Sequence, residues 1–80
     1  SFIHEMSLLE FEGKKEPAAL VRAIITLGHS LGLVVLAEGV ETREELETLR
    51  NLGCDLVQGY FHSRPVPSDQ VISLIQAINA

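Results

Sequence analysis

The chain has 80 residues, a formal net charge of −5 and one cysteine, with 46% of its residues hydrophobic and 21% charged. That length allows one small domain at most, and a chain of this size buries only ~60% of its unfolded surface. The apolar content excludes disorder, the acidic balance excludes binding to a nucleic-acid backbone, and the single Cys54 excludes an internal disulfide and fits a reducing, cytoplasmic compartment. No apolar run approaches the ~20 residues of a membrane span, so the segment is expected to make no membrane contact.

Residues 1–16 have no regular pattern. Phe2, Ile3, Met6, Leu8, Leu9 and Phe11 are apolar, but Gly13 and Lys14-Lys15-Glu16 break the run, and a short turn or helix followed by a loop is expected. Residues 1–5 lack the basic start and apolar stretch of a signal peptide. With no Met at position 1, and a core-like composition in so short a chain, the sequence is expected to be a partial segment.

Residues 17–31 read as a helix. Pro17 suits the first turn, where a missing N–H costs nothing. Leu20, Ile24, Leu27 and Leu31 recur at helical spacing, and Val21, Ala23, Ile25 and Gly28 widen the stripe. An apolar face that broad is expected to be covered on more than one side. Gly32 stops the helix in a left-handed cap.

Residues 33–37 form a continuous apolar run without alternation, the mark of a parallel strand buried on both faces. It ends in Glu38-Gly39. A second helix spans 42–52, opened by a capping box of Thr42 with Glu45, carrying Leu46, Leu49 and Leu52 inward, and closed by Gly53. A second short strand, 54–58, ends in Gln58-Gly59. A loop with Arg64-Pro65-Val66-Pro67 follows, and Ser68 caps a last helix over 69–79 with Val71, Ile72, Leu74, Ile75 and Ile78 apolar.

The chain therefore contains an internal echo of helix, glycine stop, buried strand, polar residue and glycine. Helix–strand–helix–strand–helix with short loops is the grammar of a parallel α/β sheet. Two parallel strands alone leave both edges open, so most of the sheet is expected to lie elsewhere.

Glu38 ends a buried run, and an unpaired carboxylate there costs several kcal/mol, so a cation, a hydrogen-bonding cluster or open solvent must offset it. Polar groups at the C-terminal ends of strands in α/β proteins are where ligands bind. Gln58 occupies the matching place on the next strand, and the two are expected to share one cleft. From pattern alone, Glu38 equally begins a solvated loop. Glu41 is either a supporting acid or, as the pattern favours, a helix N-terminal acid.

Arg64 suits contact with phosphate or a base, or equally a solvated loop. Tyr60 and Phe61 could stack on a base, but such aromatics more often belong to a core or rim. His29 is read as a histidine at a helix end rather than a metal ligand. His4 and His62 lack partners at zinc-type spacing, and Cys54 is read as an inert core thiol.

Ala37-Glu38-Gly39-Val40-Glu41-Thr42, then Leu49 through Leu52-Gly53-Cys54-Asp55, then Gln58-Gly59-Tyr60 and Ser63-Arg64-Pro65, resemble the closing third of the EAL domain family. Ser1-Phe2-Ile3 resembles the segment just after that family's Lys-Ile-Asp strand. The resemblance runs over nearly the whole chain and implies that residues 1–80 are the C-terminal part of a TIM-like (β/α)8 barrel, with about two parallel strands and three helices.

It also implies a phosphodiesterase that cuts cyclic di-GMP to pGpG with Mg2+ or Mn2+. Glu38 matches the glutamate at the metal and water site, either as ligand or as proton acceptor. Gln58 matches the glutamine that holds the metal-water cluster. Glu41 matches a glutamate supporting the loop that senses substrate and metal, and Pro65 with its neighbour Arg64 matches the rim near the guanine.

The Glu-Ala-Leu strand, the metal-binding Asn and Glu strands, the Asp-Asp loop and the catalytic Lys of the family have no counterpart in these residues. The isolated polypeptide is therefore expected neither to hydrolyse cyclic di-GMP nor to bind Mg2+ tightly. Its expected partners are cyclic di-GMP and the rest of the barrel or another copy of the chain. A non-catalytic cyclic di-GMP receptor or interaction module is the alternative reading.

Overall fold

A computed structural model of the chain describes residues 7–13, 16–59, 62–71, 73 and 76. The elements run β1 (Leu8–Glu12), α1 (Ala18–Ser30), β2 (Val34–Val40), α2 (Arg43–Asn51), β3 (Leu56–Gly59) and β4 (His62–Pro67). They form one four-stranded sheet in the order β1-β2-β3-β4. β1, β2 and β3 are parallel, and β4 returns antiparallel to β3.

Both helices end as the glycine stops predicted. At the end of α1, Gly32 has φ 74°; its N–H donates to the His29 carbonyl at 3.0 Å, and the Leu33 N–H to the Gly28 carbonyl at 2.9 Å. α2 repeats the pattern: Gly53, φ 89°, donates to Arg50 at 3.1 Å and Cys54 to Leu49 at 3.0 Å. These paired bonds satisfy carbonyls that a helix end otherwise leaves open, and only glycine takes the left-handed position without strain. The internal echo is thus one capping motif used twice. The capping box at the start of α2 is also complete, with Thr42 accepting from the Glu45 N–H and Glu45 accepting from the Thr42 N–H. Pro17 sits one place earlier than expected, as the cap itself.

Two readings are corrected. Residues 8–12 form a strand, not a turn or helix: Leu9 and Phe11 pack on the core while Glu10 and Glu12 alternate with them. The Arg64–Pro67 stretch is part of β4, not a loop. Proline is tolerated there because β4 is an edge strand with only one neighbour. The sheet therefore has three parallel strands rather than two. Of the predicted last helix, Val71, Ser73 and Gln76 are helical, and its remaining positions, including Ile72, Leu74, Ile75 and Ile78, lie outside the described residues. The Ser68 hydroxyl donates to the Cys54 carbonyl.

The core is one cluster that joins Val21 and Ile25 of α1, Leu46 and Leu49 of α2, and Val35, Ala37, Val40 and Val57 of the strands. Both helices therefore cover the same face of the sheet. Strand order that follows chain order, with the helices on one face only, is the arrangement of a barrel wall. Leu36 and Leu56, like Glu10, Glu12 and Glu38, belong by register and alternation to the other face.

α1 meets the sheet on Val21, Ile25 and Gly28. The predicted stripe is thus rotated: Leu20, Leu27 and Leu31 are exposed. Gly28 sets the contact distance, since a Cβ there would lie 2.6 Å from Val35 Cγ2. Gly28→Ala should therefore lower stability by about 1–2 kcal/mol, overpacking outweighing the ~1 kcal/mol that alanine gains in a helix. Urea unfolding checks this, and an unchanged or raised midpoint would contradict the packing described.

Candidate functional site

Glu38 lies seven-tenths of the way along β2, where the pairing with β3 changes phase. Leu36 pairs with Leu56 and Ala37 with Val57, but the next partners are Val40 and Gly59. Two residues of β2, Glu38 and Gly39, thus stand opposite the single Gln58 of β3. This is a β-bulge, a feature that re-aims a side chain and concentrates near functional sites. Gly39 takes φ 71°.

On the other side of β3 the pairing is irregular as well. Val57 pairs with Val66 and Gly59 with His62, so Ser63, Arg64 and Pro65 face Gln58 from β4. The sheet brings Glu38, Gln58, Arg64 and Pro65 together at the end where the parallel strands finish. Glu38, Gln58 and Pro65 are half-buried, and Arg64 is exposed.

Glu41 follows β2 directly and is exposed. Its N–H donates to Glu45 Oε1 at 2.8 Å, which places it just outside the α2 cap. Tyr60, Phe61 and His4 lie outside the described residues.

Pattern reading missed two acids. Glu12 is the register partner of Glu38, and Glu10 precedes it on the same face of β1. The signal was present in the alternation Leu9-Glu10-Phe11-Glu12, over too few residues to stand against the lysines that follow. Glu38 is raised above the ordinary glutamate range, first by burial and then by the negative charges of Glu10 and Glu12. A cation on this face would favour the ionised form and so oppose the shift.

Glu38 offers the hard oxygen donor that Mg2+ or Mn2+ takes. Among the described residues, however, no three His, Cys, Asp or Glu side chains converge on a metal position. The donors fit such an ion in kind but are too few to hold it. A cavity of about 320 Å3 lies elsewhere, lined among others by Gly13, Val21, Thr42, Glu45 and Leu49. It belongs to the helix side of the sheet and is separate from the Glu38–Gln58 site.

The opposite end of the strands is tied down without chemistry. Asp55 Oδ2 accepts from the Val35 N–H at 2.9 Å and lies 2.8 Å from His29 Nε2. His29, in the last turn of α1, therefore has a structural partner in Asp55. The Cys54 thiol lies 3.3 Å from the Leu56 carbonyl and 3.6 Å from that of Val35. Burial pushes it up to about 11, which keeps the nucleophilic thiolate scarce near neutrality.

Among the described residues no helix is long and apolar enough to cross a membrane. A family model described as the EAL domain matches residues 2–65. The oxygen sensor protein DosP of Escherichia coli is 50% identical over 58 residues, covering 72% of this chain and 7% of that protein. The cyclic di-GMP phosphodiesterase PdeL of Escherichia coli is 37% identical over 73 residues, covering 91% of this chain and 19% of that protein.

The chain thus spans a small part of the curated relatives it matches. Among solved structures, the PaMucR phosphodiesterase in complex with c-di-GMP aligns with a TM-score of 0.64 and 38% identity, over 81% of this chain and 30% of that one. An EAL domain protein from Listeria monocytogenes aligns with a TM-score of 0.63 and 31% identity, over 91% and 33%.

Two measurements test the electrostatics. A carboxyl raised in the folded state binds its proton at higher pH than the unfolded chain does, so its ionisation costs stability near neutrality. That cost fades as pH falls through the raised value toward the ordinary glutamate range. Glu38→Gln should raise Tm at pH 7, and the gain should shrink on acidification. A thermal melt series across pH reads this, and a Tm below wild type at pH 7 would contradict it. Cys54 should react with a thiol reagent at pH 8 only after denaturant is added; labelling of the native chain at the rate of a free thiol would show it is not buried.

Proposed function

Because the chain belongs to the EAL domain family, we propose that it forms one wall of a barrel that hydrolyses cyclic di-GMP to the linear dinucleotide pGpG with Mg2+ or Mn2+. The observation that carries this reading is the placing of Glu38 opposite Gln58 across a bulge, at the C-terminal ends of parallel strands. In barrels of this kind, that end carries the chemistry. Relatives named as cyclic di-GMP phosphodiesterases, and a neighbour solved in complex with c-di-GMP, support the choice of substrate.

The roles follow from what each side chain can do. Glu38 would give a carboxylate oxygen to the cation or take the proton of the attacking water. The Gln58 amide can donate and accept at once, so it orients a water between the two strand ends. Glu41 holds the loop at the start of α2, and Arg64 with Pro65 forms the rim over which a guanine and its phosphate pass. When bound, the cation neutralises the phosphodiester and lowers the pKa of a bound water.

The remaining oxygen donors come from the rest of the barrel, which is the first partner of this chain; a second copy is the other. Two sheet edges, β1 and β4, are available for that association.

In a complete EAL domain carrying these residues, Glu38→Gln should lower kcat for cyclic di-GMP by about 10²-fold or more. Gln58→Ala should lower it by about 10- to 100-fold. The 80-residue polypeptide alone should release no pGpG and show no tight Mg2+ binding by calorimetry. Chromatography of the product is the direct measure. Binding of cyclic di-GMP without any turnover by the wild-type domain would replace the enzyme reading with that of a receptor.

A further inference from the structure

Glu38 and Val40 are two residues apart on one strand, and in a regular strand both would point to the same face. They do not. Val40 is fully buried in the cluster with Ala37 and Leu49 on the helix side. Glu38 shares the opposite face with Glu10 and Glu12. Without the extra residue of the bulge, either Val40 would leave the core or Glu38 would enter it.

Two glycines make that change of phase possible, each for its own reason. Gly39 has φ 71°, in the left-handed region that side chains resist. A Cβ there would also come to 3.0 Å from Glu12 Oε2. Gly59 has no such backbone demand. Its reason is contact: a Cβ on Gly59 would lie 1.8 Å from the Val40 carbonyl oxygen and 2.8 Å from its carbon. Those are backbone atoms, so no rotamer change relieves the clash.

We propose that Gly39 and Gly59 are positioning residues for the reaction: together they hold the bulge that lets Glu38 keep the face it shares with Glu10 and Glu12, opposite Gln58, while Val40 returns to the core. This rests on the reading of Glu38 and Gln58 as site residues. It assigns a mechanical task to two residues that carry no functional group.

The test compares glycines in the complete domain. Gly53 also has a left-handed backbone, φ 89°, but open space around it and no part in the site. Gly39→Ala and Gly53→Ala should lower Tm to a similar degree. Only Gly39→Ala should lower kcat, by about 10- to 100-fold, with KM for cyclic di-GMP changed much less. Gly39→Asn should recover part of kcat, since asparagine tolerates the left-handed region. Gly59→Ala should behave as Gly39→Ala does, with a larger loss of stability.

Equal kcat in folded Gly39→Ala and Gly53→Ala would overturn the proposal. Backbone nuclear Overhauser contacts between Val40 and Gly59 separate it from the choice of reaction. They should be lost in Gly39→Ala and kept in Gly53→Ala even if the wild-type domain proves not to cleave cyclic di-GMP. Their persistence in Gly39→Ala would overturn the positioning role by itself.

Discussion

One strand, β2, must satisfy two environments that regular alternation cannot serve together. Its first half needs Val35 and Ala37 against the helices, and its end needs Val40 there too. Between them stands Glu38, which cannot be buried among those side chains without a large desolvation cost. The fold resolves this by adding one residue to β2 opposite Gln58. The close backbone approach of Val40 and Gly59 resumes the ladder one step later. The neighbouring pairing of β3 with β4 is irregular at the same level, between Val57 and Gly59.

The two ends of the strands then divide the work. At the N-terminal end, Asp55 joins β2 to the last turn of α1, and Cys54 and Ser68 link backbone carbonyls within the buried layer. These contacts are neutral or locally paired and serve only to hold the elements in register. At the C-terminal end, like charges meet: Glu10 and Glu12 stand on the face of Glu38 and raise its proton affinity. Among the described residues, no buried side-chain polar atom is left without a hydrogen-bond partner, so the mutual repulsion of these three carboxylates stands out. On the other face the core includes Leu46 and Leu49, each worth about 2–5 kcal/mol against alanine.

The helices and the two central strands were legible because their signals are local. Thr42 and Glu45 are three residues apart, and Gly32 and Gly53 act on the turn just before them. The runs over 33–37 and 54–58 are apolar enough to read as buried strands, although the first continues through Glu38 to Val40. β1 was hidden because its alternation is short and half acidic, and β4 because its prolines argue against a strand until it is known to lie at an edge. The exposed Leu20, Leu27 and Leu31 show the same limit: helical spacing shows that a stripe exists, but only packing chooses which side of it meets the sheet.

From the sequence by itself came the helix caps, the buried strands, the placing of Glu38 and Gln58 at strand ends and the family they resemble. Each depends on interactions within a few residues, or on a pattern that survives without coordinates. Only the tertiary structure decided that Glu12 pairs with Glu38, that Arg64 and Pro65 lie opposite Gln58, and that Val40 and Glu38 part to opposite faces. Those facts are matters of register between neighbouring strands. Register is set where backbones meet, as Gly59 meets Val40, and no local preference encodes that contact.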